Sequence, residues 1–313
     1  MKILFLDTGF DYTSEYFRQQ RGKVSGCTNV CLYNIQKRSV VQKVIQAIGI
    51  YLFPPVLYLI YGEWKKNIDK YDVFIVASRK SAKYAVQYLR KRTNKRIIIW
   101  YWNLVTKKEL SPEYCRKLGC ETWSFDKVDC EKYGMKFGDT YYFQPAKLNS
   151  DCMESKYKMF YVGIDRPGRE ELLNRLGNYL KGFNYRYKFN LTAIPNKPNK
   201  NKKIYSKRLD YQEIIKFIGE SESILDLNRS NQSGMTLRPL EAIFFDKKLI
   251  TNNTSIVKYK AYVNENTYIL KDNDYEDLID FLEQPNIEID NNIKKHYVFS
   301  SWLKRIVDDE QAD

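Results

Sequence analysis

Short apolar runs alternate along this chain with amphipathic stretches of helical period, and the alternation happens twice. KILFLD at the start, YDVFIVASR from residue 71 and RIIIWYWN from residue 96 read as strands, and SAKYAVQYLRKRT as the helix between the last two. SPEYCRKLG follows as a helix start, with Ser111 as cap and Pro112 in its first position. CETWSFDKVDCEKYG adds a short strand and a helix beginning near Asp126, and TYYFQP closes the run near Pro145. Residues 146–157 read as a connector. A second run then opens with KMFYVGID and continues through REELLNRLGNYLKGF, YRYKFNLTAI, LDYQEIIKFIGES, ESILDLN, MTLRPLEAIFFDK, KLITNN, TYIL and YEDLIDFLEQP. Strand and helix periods in this order argue for an α/β chain with parallel sheets. The expected division is a Rossmann-like domain over 1–150, a second over 151–290, and a closing helix and tail over 291–313. The 313 residues are enough for two such domains.

Charge narrows the partners. The formal net charge of +14 favours anionic ligands: nucleic acid, phosphorylated substrates or an anionic membrane. The 26 tyrosines suit nucleic acid, sugars and lipid headgroups alike. No secretory leader precedes the first strand, so a cytosolic, reduced chain is expected, with membrane contact limited to the inner face. Six cysteines and one histidine, His296, are spaced poorly for a zinc site, and buried thiols are the expectation. No Asp-x-Asp follows a strand, and Asp126 and Asp129 read as a helix start. A metal-independent protein is therefore expected, with no cofactor.

One stretch stands apart. Lys37, Arg38 and Lys43 precede or open the run VIQAIGIYLFPPVLYLIYGEW, and Lys65 and Lys66 follow it. Pro54-Pro55 breaks the run, so a pair of core helices interrupted at the prolines is the first reading. The alternative is a segment on the membrane face, with its basic flanks on anionic headgroups. Residues 195–208, rich in lysine and asparagine, read as an exposed loop.

Ligands of open parallel sheets sit beyond the carboxyl ends of the strands. In the first lobe those ends bring Thr8, Gly9, Arg79, Trp102 and Asn103. In the second they bring Gly163, Asp165, Asn228 through Gly234, and Thr251 through Asn253. The most informative segment is 224–253, ILDLNRSNQSGMTLRPLEAIFFDKKLITNN, in which a strand enters a polar loop, the loop a helix, and the helix a strand. Amide groups at such a helix entrance receive phosphate oxygens. Arg238, one turn inside, adds a charge-assisted contact to a diphosphate. Glu241, three residues on, offers a carboxylate to ribose hydroxyls, or the two form a local helix pair.

This segment resembles the donor region of glycosyltransferases built from two Rossmann lobes facing a central cleft, the GT-B architecture. The resemblance implies that Glu241 binds the donor ribose and that Gln232, Ser233, Gly234 and Thr236 lie by the phosphates or sugar. FYVGIDRPGREELL, residues 160–173, resembles the first strand and helix of the donor lobe. There Gly163 would admit the donor, with Asp165, Arg166 and Arg169 as further donor contacts. Together with WSFDKVDCEKYGMKF, residues 123–137, the closer likeness is to transferases of capsule, exopolysaccharide and lipopolysaccharide synthesis. Many retaining members carry a second glutamate eight positions before the ribose-binding one; here that position is Ser233, so retention is not assigned.

The chemistry this implies needs cations on the departing nucleotide diphosphate, supplied by Arg238 and Arg166. An inverting reaction also needs a base, for which Asp7 and Asp11 flank the first strand's terminal loop. The expected activity is hexosyl transfer from a nucleotide sugar to a glycan acceptor on a polyprenyl diphosphate, with peripheral contact to anionic membrane and no nucleic acid. The alternatives are a nucleic-acid-binding protein and a catalytically silent scaffold of the same fold.

Overall fold

The computed structural model describes residues 1–7, 16, 23–33, 40–143, 155–194, 204–229, 232–271 and 275–311. The chain divides into two compact units: Met1–Phe143 with Phe299–Asp313, and Gln144–Val298. Each is a Rossmann-like α/β lobe.

In the first lobe the strands are β1 (Ile3–Asp7), β2 (Lys23–Val24), β3 (Cys27–Cys31), β4 (Val73–Ala77), β5 (Arg96–Tyr101), β6 (Glu121–Ser124) and β7 (Lys136–Phe137). They lie in the order β2-β3-β1-β4-β5-β6-β7. β2 pairs antiparallel with β3, and the other pairs are parallel. β1 is buried along its whole length, as expected of a parallel strand covered on both faces. Its helices are α1 (Val40–Tyr51), α2 (Lys83–Arg90), α3 (Pro112–Lys117), α4 (Lys127–Tyr133) and, from the far end of the chain, α10 (Phe299–Asp308). Ser111 caps α3, its side chain accepting from the Tyr114 amide at 3.3 Å. Asp126 caps α4, accepting from the Asp129 amide at 3.0 Å.

The second lobe contains β8 (Tyr157–Ile164), β9 (Tyr187–Thr192), β10 (Tyr205–Ser206), β11 (Ser221–Asp226), β12 (Lys248–Thr251) and β13 (Thr267–Ile269). Their order is β10-β9-β8-β11-β12-β13, all parallel. Around them lie α5 (Arg169–Gly182), α6 (Tyr211–Gly219), α7 (Leu237–Phe244), α8 (Leu278–Glu283) and α9 (Asn291–Tyr297). The core is largely aliphatic, with Leu173, Leu176, Leu180, Leu191, Leu225 and Ile250 fully buried.

Three expectations change. The 291–313 segment is not one closing unit. α9 belongs to the second lobe and α10 to the first, where Trp302 packs its ring 4.9 Å from Trp100 and 4.2 Å from Tyr141. The exposed loop over 195–208 ends in a strand: Tyr205–Ser206 forms the edge β10, while 195–203 lies outside the described residues. The run around Pro54-Pro55 is indeed broken there, into α1 and a 3-10 helix over Pro54–Ile60, but much of its apolar surface is exposed rather than in the core. Among the described residues, no helix is long and apolar enough to cross a membrane.

Candidate functional site

A doubly wound sheet offers its ligand crevice where the strand order reverses. In the second lobe β8 lies between β9 and β11, so the reversal falls between β8 and β11. β8 runs out into Asp165, Arg166 and Arg169, and β11 into Leu227, Asn228 and Arg229. Burial, and then the charges of Arg166 and Arg169, push the Arg229 guanidinium below its ordinary value. Three arginines thus share one corner at the switch point. Arg169 also fixes that corner mechanically: its guanidinium donates to the Ile164 carbonyl at 2.7 Å and to the Leu227 carbonyl at 2.5 Å, tying the ends of β8 and β11 together. Arg229 was not singled out from sequence. Its signal was positional, a cation just past β11 as Arg166 is just past β8.

Two other residues of this corner turn inward. Asp165 is fully buried, and the Tyr205 hydroxyl lies 3.0 Å from both its Oδ2 and Glu170 Oε2. Its surroundings are those of a structural carboxylate. Gly163 makes room for Tyr161: a Cβ there would lie 2.2 Å from the Tyr161 hydroxyl. The space that glycine frees is therefore taken by a side chain of the same strand face, not left for a donor. The Tyr161 hydroxyl and Asn228 Oδ1 are buried and make no hydrogen bond among the described residues.

The loop after β11 is held by its own polar side chains. The Gly234 carbonyl accepts from Asn228 Nδ2 and Gln232 Nε2, both at 3.1 Å. The Ser233 carbonyl accepts from Asn253 Nδ2 and the Tyr259 hydroxyl, both at 3.2 Å. The Asn228 amide donates to Asn252 Oδ1 at 2.7 Å. Thr236 caps α7, its hydroxyl oxygen accepting from the Arg238 amide at 3.0 Å and donating to Asp226 Oδ1 at 2.8 Å. Asp226 Oδ2 accepts from Thr251 at 2.9 Å. This buried carboxylate, which sequence reading passed over, joins β11, β12 and the start of α7.

Arg238 and Glu241 form the local helix pair. Arg238 Nη1 lies 2.6 Å from Glu241 Oε2, with the two side chains 13% and 0% exposed. The Tyr211 hydroxyl donates to Glu241 Oε1 at 3.2 Å. Burial outweighs both partners and raises the Glu241 carboxyl to about 7. The resemblance implied a carboxylate presented to ribose; the structure places it inside the lobe, engaged by an arginine and a tyrosine.

In the first lobe the reversal falls between β1 and β4. Asp7, at the end of β1, is buried and accepts from Asn29 Nδ2 at 2.8 Å. Thr8, Gly9 and Asp11 lie outside the described residues. Arg79 ion-pairs with the buried Glu109 at 2.8 Å, whose other oxygen accepts from Ser78 at 2.7 Å. Trp102 is half-buried, edge-on to Tyr141 at 4.4 Å, and Asn103 is half-buried beside it in sequence. A cavity of about 660 Å³, walled by Lys107, Glu109, Pro112, Arg116, Lys132 and Tyr133 among others, lies in this lobe. Among the described residues, no three His, Cys, Asp or Glu side chains come together to hold a metal ion. Burial raises the thiols of Cys115 and Cys130 to about 12. Cys152 lies outside the described residues.

No protein-family model matches this chain, and no curated protein sequence matches it. Its fold is shared with solved structures. It is similar to a UDP-forming α,α-trehalose-phosphate synthase from Burkholderia xenovorans, at TM-score 0.58 and 10% identity, over 99% of each chain. It is similar to a sucrose-phosphate synthase from Thermosynechococcus elongatus, at TM-score 0.51 and 11% identity, over 96% of this chain and 91% of the other. It also resembles the UDP-GlcNAc 2-epimerase of Methanocaldococcus jannaschii, at TM-score 0.50 and 13% identity, over 98% and 99%. The fold is therefore GT-B: two Rossmann-like lobes of the kind these proteins share.

Proposed function

We propose that this chain is a glycosyltransferase that moves a hexose from a nucleotide-sugar donor to a glycan acceptor in the synthesis of a bacterial surface polysaccharide. The acceptor in this reading is carried on a polyprenyl diphosphate, so the protein works at the inner face of the membrane. The carrying observation is the arginine corner at the β8/β11 switch point, where Arg166, Arg169 and Arg229 follow the ends of adjacent strands and burial, then the charges of Arg166 and Arg169, push the Arg229 guanidinium down. Like charges crowded together at the ligand end of a Rossmann sheet are stabilised by an anion of matching charge, and a nucleotide diphosphate supplies one. The shared fold supports the same reading, since the trehalose-phosphate synthase it resembles is UDP-forming.

In this mechanism Arg166 and Arg229 meet the diphosphate and neutralise it as it leaves, without a metal. Arg169, already holding two carbonyls, keeps the corner in shape. Arg238 acts on the diphosphate, and Glu241 on the ribose, by exchanging their mutual contact for the donor. Thr236 and the loop Asn228–Gly234 frame the donor. The acceptor lies on the first lobe near Arg79, Trp102 and Asn103, with Asp7 or Asp11 as base if configuration inverts.

Calorimetry with a panel of nucleotide sugars tests this on wild type, Arg229→Ala and Glu241→Ala. Selective binding of one donor, weakened at least about tenfold in Arg229→Ala, supports the reading. Folded wild type that binds no donor at millimolar concentration, with a lipid-linked acceptor present, overturns it. Binding with no turnover on any lipid-linked acceptor points to a silent scaffold, and acceptor-independent change of the donor sugar to an epimerase. Salt-sensitive binding of mixed oligonucleotides in place of donor points to nucleic acid.

A further inference from the structure

The first lobe carries an apolar surface that the sugar-transfer chemistry does not use. α1 and the 3-10 helix over Pro54–Ile60 form a tight helical hairpin. A Cβ at Gly49 would lie 2.4 Å from the Leu57 side chain, so glycine sets the close approach of the two arms. The Leu52 and Phe53 amides both donate to the Ile48 carbonyl, turning the chain at Tyr51–Phe53. Leu57 and Ile60 face inward and are buried. The other face is open: Val44 is 52% exposed, Tyr51 76%, Leu52 79%, Phe53 60% and Leu59 70%. No comparable run of exposed large apolar side chains occurs elsewhere among the described residues.

The segment that holds this face is basic in sequence. Between residues 34 and 66 the sequence has five basic residues and a single acidic one, Glu63, which pairs with Lys66 at 2.9 Å. Two aromatic rings of the hairpin carry lysines: Lys65 Nζ lies 4.1 Å from the Tyr58 ring centroid and Lys80 Nζ 6.0 Å from that of Tyr51. Lys83 is exposed one turn beyond Lys80. Apolar tips with lysines beside aromatic rings match the boundary between acyl chains and anionic headgroups, where the rings sit shallow and the ammonium groups reach the phosphates.

We infer that the hairpin over Val40–Ile60 is a membrane-docking wedge, which places Tyr51, Leu52, Phe53 and Leu59 among the outer acyl segments of an anionic bilayer and Lys65, Lys80 and Lys83 on its headgroups. The surface stands on its own observations; only its purpose, meeting an acceptor carried on a lipid, rests on the sugar-transfer reading. The lysine ring argues for lipid over a second copy of the chain, which would bring the same positive charge to the contact.

Co-sedimentation of the full chain with vesicles tests the inference, using phosphatidylcholine alone or mixed with phosphatidylglycerol. Wild type is expected to bind the mixed vesicles and to weaken as salt is raised. Leu52→Ser/Phe53→Ser/Leu59→Ser loses at least about tenfold in affinity, since exposed side chains are removed from the wedge while its core is untouched. Lys80→Gln/Lys83→Gln loses about fivefold per lysine, on anionic vesicles only. Wild type that ignores anionic vesicles, or a folded triple serine variant that binds like wild type, overturns the wedge. So does a wild-type dimer that the triple variant splits, with neither binding vesicles, because a second copy then covers the face. Nucleotide-sugar calorimetry on the triple variant is expected to match wild type. Vesicle binding without donor binding leaves the wedge standing and removes the sugar-transfer reading.

Discussion

The two lobes are both Rossmann-like, with strand orders that differ at one edge (β2-β3-β1 against β10-β9-β8), and they spend their residues differently. The first lobe closes its sheet with aromatic rings: Trp100, Tyr141, Phe143, Phe299 and Trp302 are linked by T-shaped and tilted contacts with centroids 4.2 to 5.6 Å apart. It also exposes an apolar hairpin. The second lobe has a largely aliphatic core; carboxylates are buried in both lobes, and in this one Asp165 and Asp226 sit at the ends of β8 and β11 and Glu241 on α7 beside Arg238. The lobes thus differ in what they present: an apolar hairpin stands open on the first, and three arginines gather at the switch point of the second. The sheet tolerates both because its strands are buried in either case, while the loops at their carboxyl ends vary freely.

That contrast is open to direct attack. All five tryptophans, at 64, 100, 102, 123 and 302, fall in the first lobe, so tryptophan fluorescence follows that lobe alone. The largest effect expected is from Trp302→Ala, about 4 kcal/mol lost from the first lobe's unfolding transition, because a fully buried indole leaves a cavity among rings that cannot collapse. Urea titration followed by fluorescence measures it. An unchanged fluorescence midpoint breaks the claim that α10 completes the first core.

The next effect belongs to the second lobe and depends on pH. Glu241 is raised from 4.5 to about 7 by burial, against the opposing pull of Arg238 and Tyr211. The folded lobe therefore binds this proton more tightly than the unfolded chain. Its contribution to stability is full below pH 4.5 and is lost as pH rises through about 7. The whole span is on the order of 3 kcal/mol. Far-ultraviolet dichroism in urea, at a series of pH values, should show wild type losing this increment relative to Glu241→Gln, which cannot titrate. Parallel pH curves for the two proteins would mean that Glu241 stays ionised beside Arg238. Smaller again is Arg166→Ala, expected to weaken donor binding by about 2 kcal/mol in calorimetry while leaving the first lobe's fluorescence transition in place.

How much of this was legible depends on what each residue is asked to do. β1, β4, β5, β8 and β11 announce themselves because strands buried on both faces are continuous apolar runs. β3, CTNVC, is mostly half-buried beside the edge strand β2 and has no such run. β10 is two residues in a stretch of lysine and asparagine. At the site, Arg166 and Arg169 follow from the resemblance of residues 160–173, and Arg229 falls in the stretch Asn228–Gly234 past a strand end. That these ends meet is not legible, because only the strand order brings β8 and β11 together. The burial of Glu241 was signalled faintly by its neighbours Leu240, Ala242 and Ile243, all core residues, which leave a carboxylate little chance of facing solvent. For residues 44–61, apolar composition and the proline break located two helical arms, but periodicity does not say whether an apolar face meets a core or the outside.

The smallest prediction sets equivalent devices in the two lobes against each other. Asp126 and Asp210 are both N-caps whose side chains accept from the third amide of the helix, at 3.0 and 2.8 Å. Asp210 has the fuller motif, since Glu213 reaches back to its amide at 2.9 Å and completes a capping box. Yet Asp210 is exposed and Asp126 is fully buried. In water the Asp210 amides find other partners when the cap is removed, whereas the amide at Asp129 is itself buried and does not. Alanine at either site costs about 1 kcal/mol, with Asp126→Ala towards 2 and Asp210→Ala near the lower end. Urea midpoints read by fluorescence for the first lobe and by dichroism for the second decide the order. If Asp210→Ala costs more, the reciprocal box outweighs burial, and the second lobe's stability rests more on its helix entrances than on its aliphatic core.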